Sequence, residues 1–235
     1  MSAIVLYTNS KAMGKKVCLT LALMAAWTVA LAQFSNVKKG DIIELDGQKA
    51  IVWQVDESGE HGCAMGVKPL RGVDDAWCKN KKVADRLPKM DNDNDGMANT
   101  KALIDFVKRE NLKMADFPAF DWCSKLGPEW FIPSVKELEG FINFWLGNEQ
   151  EMDWDIDDEA EQTLEDDKPY YKQINVKMLD AGGISFINGV FTSSLDAEGK
   201  VYVFSYNRNN NTWKFSKRSP LRVGKMMVAR AFRKF

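Results

Sequence analysis

The sequence is poor in the residues from which metal centres and nucleophilic active sites are usually built. It has only four cysteines and one histidine. Neither C-x-x-C nor H-x-x-x-H spacing occurs, so a structural zinc site is not predicted. Walker and dinucleotide-binding patterns are also absent from the sequence. His61 has no identifiable neighbour to orient its imidazole, which favours a turn position over a catalytic base. We therefore expect a protein that is not an enzyme.

The one long apolar run lies close to the N-terminus. It spans Val17–Ala32, follows the basic stretch Met13–Lys16, and ends in the small-x-small pattern that signal peptidase reads. The run is shorter than the roughly 20 residues that a membrane span needs. We expect residues 1–32 to be a signal peptide that starts at Met13 and is cleaved after Ala32. No cysteine follows directly to carry a lipid anchor, so export to the periplasm, cell surface or extracellular space is predicted, with no membrane span after cleavage.

Neither sign of charge dominates the rest of the chain. Residues 1–32 hold three of the 32 Lys and Arg residues and none of the 33 Asp and Glu residues, which leaves residues 33–235 with a net charge of −4. A mildly acidic chain is not expected to bind nucleic acid. No stretch rich in Pro, Gly and Ser divides these residues, so we predict a single domain over 33–235.

Export would remove Cys18 and leave three cysteines, Cys63, Cys78 and Cys123. Two arrangements are open: one disulfide with one free thiol, or three buried thiols. Cys123 falls on the apolar face of a predicted helix, which favours a core position for its side chain.

Two amphipathic helices are predicted within Phe117–Trp145. Apolar residues recur at helical spacing in both halves: Ala119, Trp122, Cys123 and Leu126, then Leu138, Phe141, Ile142 and Trp145. Gly127 follows the first helix at a position typical of a C-terminal cap. Ser134 and Glu137 form the S-x-x-E capping box that begins the second helix. A further helix carrying Leu103, Ile104 and Val107 is expected to be capped by Asn99 or Thr100.

The rest of the pattern is typical of strands. Asp41–Leu45 and Lys49–Val55 flank Asp46-Gly47, a type I′ hairpin signal, and Cys63–Val67 can add a third strand. Further segments rich in β-formers follow near the C-terminus: Gly189–Ser194, Lys200–Tyr206, Trp213–Ser216 and Met226–Phe232. Strands, then helices, then strands predict an α+β domain, with a twisted antiparallel sheet that pairs the two ends of the chain and carries two to three helices and long loops.

Three short segments carry a resemblance to a known family. Gly127–Ser134 with Glu137-Leu138 is similar to the signature GW-x-LP-[ST]-x-x-EL, Phe191–Ser194 resembles the [FYW]-W/T-SS strand, and Val228–Phe232 resembles the closing VR-x-V/F-R strand. These belong to the DUF1566/Lcl C-terminal and Fibrobacter major paralogous domains, a branch of the C-type-lectin-like fold. Secreted Bacteroides-type proteins contain versions of it, and the formylglycine-generating sulfatase-modifying family is a more remote relative. The resemblance covers roughly Gly40 to the end and implies a C-type-lectin-like fold.

The resemblance does not extend to known chemistry. The cysteine pair that formylglycine-generating enzymes use for catalysis has no visible counterpart, and the Glu-Pro-Asn or Gln-Pro-Asp tripeptides of sugar-binding C-type lectins are missing. Fold can therefore be transferred, whereas activity cannot.

Asp91, Asp93 and Asp95 form the sharpest local motif, D-N-D-N-D-G. Alternating oxygen ligands before a glycine turn suit Ca²⁺, although the twelfth position, where an EF-hand has Glu, is Ala102. The alternative is an Asx-rich surface turn leading into a helix.

An acidic insertion is predicted near residues 147–168. Residues 149–167 contain eleven acidic residues and no basic one, which is typical of an exposed segment. Trp154, Asp155, Tyr170 and Tyr171 are the candidate ligand-binding residues here, because aromatic rings stack on sugar faces while carboxylates bind hydroxyl groups. These aromatics could instead hold a long loop against the core.

Taken together, the sequence predicts an exported, non-enzymatic binding module at the cell envelope, whose ligand is a glycan or a protein surface. The alternatives are an enzyme related to the sulfatase-modifying family and a structural surface or adhesion component. Ligands of such folds bind on long loops above a rigid sheet, and the candidate loops are Arg71–Ala98 and Gly147–Lys168.

Overall fold

Nine strands and five α-helices occur in the part of the chain that this computed structural model describes: residue 34 and residues 36–71, 77–148, 162–163, 170–186, 189–207, 212–224 and 227–235. The strands are β1 (Ile42–Leu45), β2 (Gln48–Val55), β3 (Gly62–Gly66), β4 (Trp130–Phe131), β5 (Gln162–Thr163), β6 (Val190–Leu195), β7 (Val201–Asn207), β8 (Thr212–Arg218) and β9 (Phe232–Lys234). The helices are α1 (Lys81–Ala84), α2 (Gly96–Arg109), α3 (Pro118–Leu126), α4 (Val135–Leu146) and α5 (Tyr170–Asp180). The predicted signal peptide, residues 1–32, lies outside the described residues. None of the helices described is long and apolar enough to cross a bilayer.

The strands form two antiparallel sheets, with the orders β1-β2-β3-β9-β4 and β5-β8-β7-β6. The α+β class and the pairing of the two chain ends are confirmed, because β9 lies beside β3 with Cys63 opposite Lys234. The prediction of one sheet was wrong. Strands β6 to β8 pair with one another, and Val190 meets Val228 of the closing segment only through an isolated parallel bridge.

The first hairpin has the predicted geometry. Asp46 and Gly47 both have positive φ angles, 50° and 73°, as a type I′ turn requires. The Asp46 carboxylate also accepts the indole N–H of Trp130 at 3.2 Å and pairs with Arg233 at 3.0 Å. These two contacts connect the β1–β2 turn to β4 and β9, the two strands at the opposite edge of the same sheet.

The predicted helix pair is confirmed, and α4 begins with the predicted capping box. The cap predicted for α2 was wrong: Asp95 is the N-cap residue, and its carboxylate accepts the N–H of Ala98 at 3.2 Å. Asn99 and Thr100 lie inside the helix, where they are buried and bind other segments. The Asn99 side chain donates to the carbonyl of Asn92 at 2.7 Å, and the Thr100 hydroxyl accepts the N–H of Ile132 at 3.1 Å.

Five helices replace the two to three that were predicted. Helix α1 is a single helical turn within the predicted loop Arg71–Ala98. Helix α5 was missed because its apolar residues are not confined to one face: Ile174 and Met178 are buried, whereas Val176 and Leu179 are about half exposed.

Two apolar clusters form the core, and both sheets contribute to each. Alternate residues of β2 point in opposite directions, so Ala50 and Val52 pack with α2 and α3, whereas Ile51 and Trp53 pack with α4 and α5. Strand β7 divides in the same way, since Val203 joins the first cluster and Phe204 the second.

Arg230 fixes the closing segment to the core. It is fully buried, and its guanidinium donates to the carbonyl oxygens of Val67 (3.1 Å), Ile184 (3.2 Å) and Ser185 (3.1 Å). Burial lowers the pKa of Arg230 to about 9, so the group remains charged at neutral pH.

Cys63, Cys78 and Cys123 are all free and buried, which decides between the two cysteine arrangements. Cys63 lies in one apolar cluster, and Cys78 and Cys123 in the other. Burial raises the pKa of all three thiols.

Candidate functional site

The N-terminal end of α4 is held by a buried carboxylate. Glu137 accepts hydrogen bonds from the backbone N–H and hydroxyl of Ser134 and from the backbone N–H of Gly96, all at 2.9 Å. Burial raises the pKa of Glu137 above 4.5 despite these donors. A Cβ atom at position 96 would lie 2.4 Å from the carbonyl oxygen of Ile132 and 2.6 Å from the N–H nitrogen of Ser134. Only glycine therefore allows α2 to begin this close to α4.

The start of α2 explains the position of one residue of the predicted calcium motif. Asp95 caps α2, and its carboxylate lies 3.6 Å from the ammonium of Lys234. Asp91 is exposed and pairs with Lys89 at 2.8 Å, which lowers the pKa of the Asp91 carboxyl. The backbone carbonyl of Asp93 accepts the N–H of Lys136 at 3.0 Å. Within the described ranges, no three or more His, Cys, Asp and Glu side chains are grouped to hold a metal ion. Calcium binding by Asp91, Asp93 and Asp95 stays a prediction.

A cleft of about 670 Å³ lies beside this motif, between the segment after α1, the β6–β7 turn and the turn after β8. Its floor contains aliphatic and proline side chains, and its rim is charged. Two ion pairs line the rim: Lys89 with Asp91 at 2.8 Å and Lys200 with Glu198 at 2.6 Å. None of the described residues that line this cleft is aromatic. Its charges are largely matched by their neighbours, so its volume alone does not identify a ligand.

A smaller recess, about 350 Å³, opens at the C-terminal end of α4. Its lining combines three aromatic rings, three amides, one lysine and two glycines: Trp53, Phe144 and Tyr170; Gln54, Asn143 and Asn148; Lys39; Gly140 and Gly147. Rings with a few convergent polar groups are typical of binding sites for small ligands.

Glycines allow the rings of the recess to reach the helix backbone. A Cβ at Gly140 would lie 2.7 Å from the Trp53 ring. Gly147 ends α4 in the left-handed conformation, with φ 73°, and a Cβ there would lie 2.9 Å from Cβ of Tyr170. Tyr170 in turn packs edge-on against Phe144, with 5.8 Å between ring centroids. The shape of the recess is therefore fixed by buried contacts.

The candidate ligand-binding residues occupy different environments. Tyr170 is half-buried and lines the recess. Tyr171 packs on Trp145 instead, with 5.4 Å between ring centroids, and is not part of the lining. Trp154 and Asp155 lie outside the described residues. Most of the acidic insertion does too, although its Gln162 and Thr163 pair with Trp213 and Thr212 of β8.

The other lining residues were not predicted from the sequence. One signal was available, because a glycine inside a helix costs roughly 1 kcal/mol relative to alanine and Gly140 lies in the middle of α4. Such a glycine indicates the close approach of another group, but it does not identify Trp53 as that group.

No protein-family model matches the chain, and no curated protein matches it. Among solved structures, a fimbrial protein from Bacteroides ovatus ATCC 8483 is similar in fold, with a TM-score of 0.52 over 85% of this chain and 14% sequence identity. This chain spans about half of that protein, 49% of its length. At this identity the likeness concerns the fold alone.

Proposed function

We propose that this protein is an exported surface component that acts in adhesion, as a subunit or accessory of a fimbria-like assembly. The observation that carries the proposal is the fold shared with a Bacteroides fimbrial protein over most of this chain. The apolar run and small-x-small pattern before Gln33 support export. Because the match covers half of the fimbrial protein, this chain would correspond to one part of such a subunit.

A non-enzymatic role belongs to the same proposal. A nucleophilic thiol needs exposure and a depressed pKa, whereas burial raises the pKa of Cys63, Cys78 and Cys123. These thiols do not suit chemistry of the sulfatase-modifying kind. More specifically, we propose that the domain is a C-type-lectin-like module. Two features support this fold: the pairing of β3 with β9, and the second sheet that follows the helices.

Surface labelling tests the proposal. The full chain with a C-terminal epitope would be expressed in a Bacteroides host, and intact cells would be labelled with antibody and treated with protease. We expect labelling of intact cells and an N-terminus at Gln33. The matched control, Leu21→Arg with Leu23→Arg, interrupts the apolar run and should abolish labelling. Epitope accessible only after lysis in the unaltered chain would overturn the proposal.

A further inference from the structure

We propose that the recess at the C-terminal end of α4 binds a neutral saccharide. This inference rests on the proposed surface role, because an adhesion component needs a site that recognises material outside the cell. Of the two cavities described above, the recess has a described lining that combines aromatic rings with polar groups, whereas the described lining of the larger cleft has no aromatic ring. Sugars present both an apolar C–H face and a rim of hydroxyl groups, and this combination matches both parts of the lining.

Tyr170 provides the apolar surface. Its ring is half-buried, and the contacts with Phe144 and Gly147 hold it at the recess wall. A ring held in this way loses little conformational freedom when a sugar ring stacks on it, so little of the contact energy is offset by ordering. Trp53 is only 7% exposed and contributes mainly to the recess wall.

Gln54 and Lys39 provide the polar contacts at the rim. Both side chains are exposed, and neither has a hydrogen bond or an ion pair with another described residue. The Gln54 amide can donate two hydrogen bonds and accept two, and the Lys39 ammonium can donate three. Paired hydroxyl groups of a sugar offer both donors and acceptors, so the two side chains can bind them without displacing an internal partner.

Charge favours a neutral ligand over an acidic one. Among the described residues of the lining, Lys39 is the one cation. An arginine binds the carboxylate of an acidic sugar most effectively, through two parallel hydrogen bonds, and the described lining holds no arginine. A single exposed lysine adds little for a carboxylate, since water and salt screen an exposed ion pair. The single lysine is therefore assigned to a hydroxyl or ring oxygen.

The test uses the mature chain on an array of neutral oligosaccharides of hexoses and N-acetylhexosamines, with uronate and sialylated oligosaccharides beside them. We expect binding among the neutral sugars, followed by titration calorimetry on the best one. Tyr170→Leu keeps an apolar contact with Phe144 but removes the aromatic face, and Gln54→Ala removes the amide. Each should weaken binding by about tenfold.

Matched controls separate the recess from the rest of the molecule. Tyr171→Leu changes the neighbouring tyrosine, which packs on Trp145, and Gln48→Ala changes another glutamine of β2. Both should bind as the unaltered chain does. Melting curves accompany each variant, and Gln54→Ala, at an exposed position, keeps the test decisive if Tyr170→Leu unfolds.

Three results would overturn the inference: no binding to any neutral oligosaccharide, binding of the acidic sugars alone, or equal losses in the recess variants and their controls. Surface labelling remains a separate measurement. A blank array with labelled intact cells contradicts the saccharide site alone, whereas epitope confined to lysed cells contradicts the surface role.

Discussion

The two ends of helix α4 are built in opposite ways. At its N-terminal end, Glu137 accepts three short hydrogen bonds from Ser134 and Gly96 in a closed, buried arrangement. At its C-terminal end, Gly140 and Gly147 hold aromatic rings against the helix and leave an open recess with polar groups at its rim. One helix thus stabilises the fold at one end and lines an open recess at the other. Substitutions at the two ends should therefore have different consequences.

The largest loss of stability is expected for Gly96→Ala at the closed end. The added methyl group meets backbone atoms of Ile132 and Ser134, which cannot rotate away. We expect the free energy of unfolding to fall by about 3 kcal/mol in urea titrations. Gly182→Ala is the control, because no atom lies within 4 Å of the methyl group added there. Its φ of +82° disfavours alanine, so a loss at Gly182 reflects backbone strain and not a close contact. A loss at Gly96 no greater than that at Gly182 would contradict the close approach.

A smaller loss, about 2 kcal/mol, is expected for Glu137→Leu, because the buried N–H groups of Gly96 and Ser134 lose their shared acceptor. The difference should depend on pH. The folded-state pKa of Glu137 is raised, so the folded protein binds this proton more tightly than the unfolded chain does. The contribution of Glu137 is therefore fully present below pH 4.5 and declines as the pH rises through the folded-state pKa. Urea titrations of both proteins across this range measure it, and a difference that grows with pH would contradict the sign.

Gly140→Ala tests the open end, with an expected cost of about 1.5 kcal/mol, since the methyl group displaces the Trp53 ring. Unlike the changes at the closed end, it should also weaken saccharide binding in the protein that remains folded. A double-mutant cycle with Trp53→Phe isolates the contact. Independent, additive effects of the two substitutions would show that the ring does not rest on this glycine.

The smallest effect expected is about 1 kcal/mol, for Asp95→Ala, through loss of the α2 cap. This loss should be the same in calcium and in chelator. The calcium hypothesis makes a different prediction: calcium raises the melting temperature of the unaltered chain, and Asp93→Ala abolishes the increase. A melting temperature that is identical in calcium and chelator would remove that hypothesis.

Local signals in the sequence predicted the closed end of α4 but not the open end. The capping box depends on Ser134 and Glu137, three residues apart, and the hairpin on the adjacent Asp46 and Gly47, so both could be recognised. The cap of α2 was misassigned because Asn99 and Thr100 are good capping residues that long-range hydrogen bonds place inside the helix.

The recess could not be derived in the same way. It depends on strand β2, helix α4 and helix α5 meeting, and Trp53 and Tyr170 are far apart in the sequence. Tyr170 was singled out as an aromatic next to an acidic run, yet nothing in the pattern distinguished it from Tyr171. Packing makes that distinction, because one ring faces the recess and the other Trp145.

The most direct test of the saccharide site is an amide NMR titration of the mature protein with the best neutral oligosaccharide from the array. We expect shifts for the side-chain amides of Gln54 and Asn148 and the backbone amide of Gly147, with Leu87–Asp91 of the cleft unchanged. Shifts centred on Leu87–Asp91, or none at the recess under saturating sugar, would contradict the saccharide site.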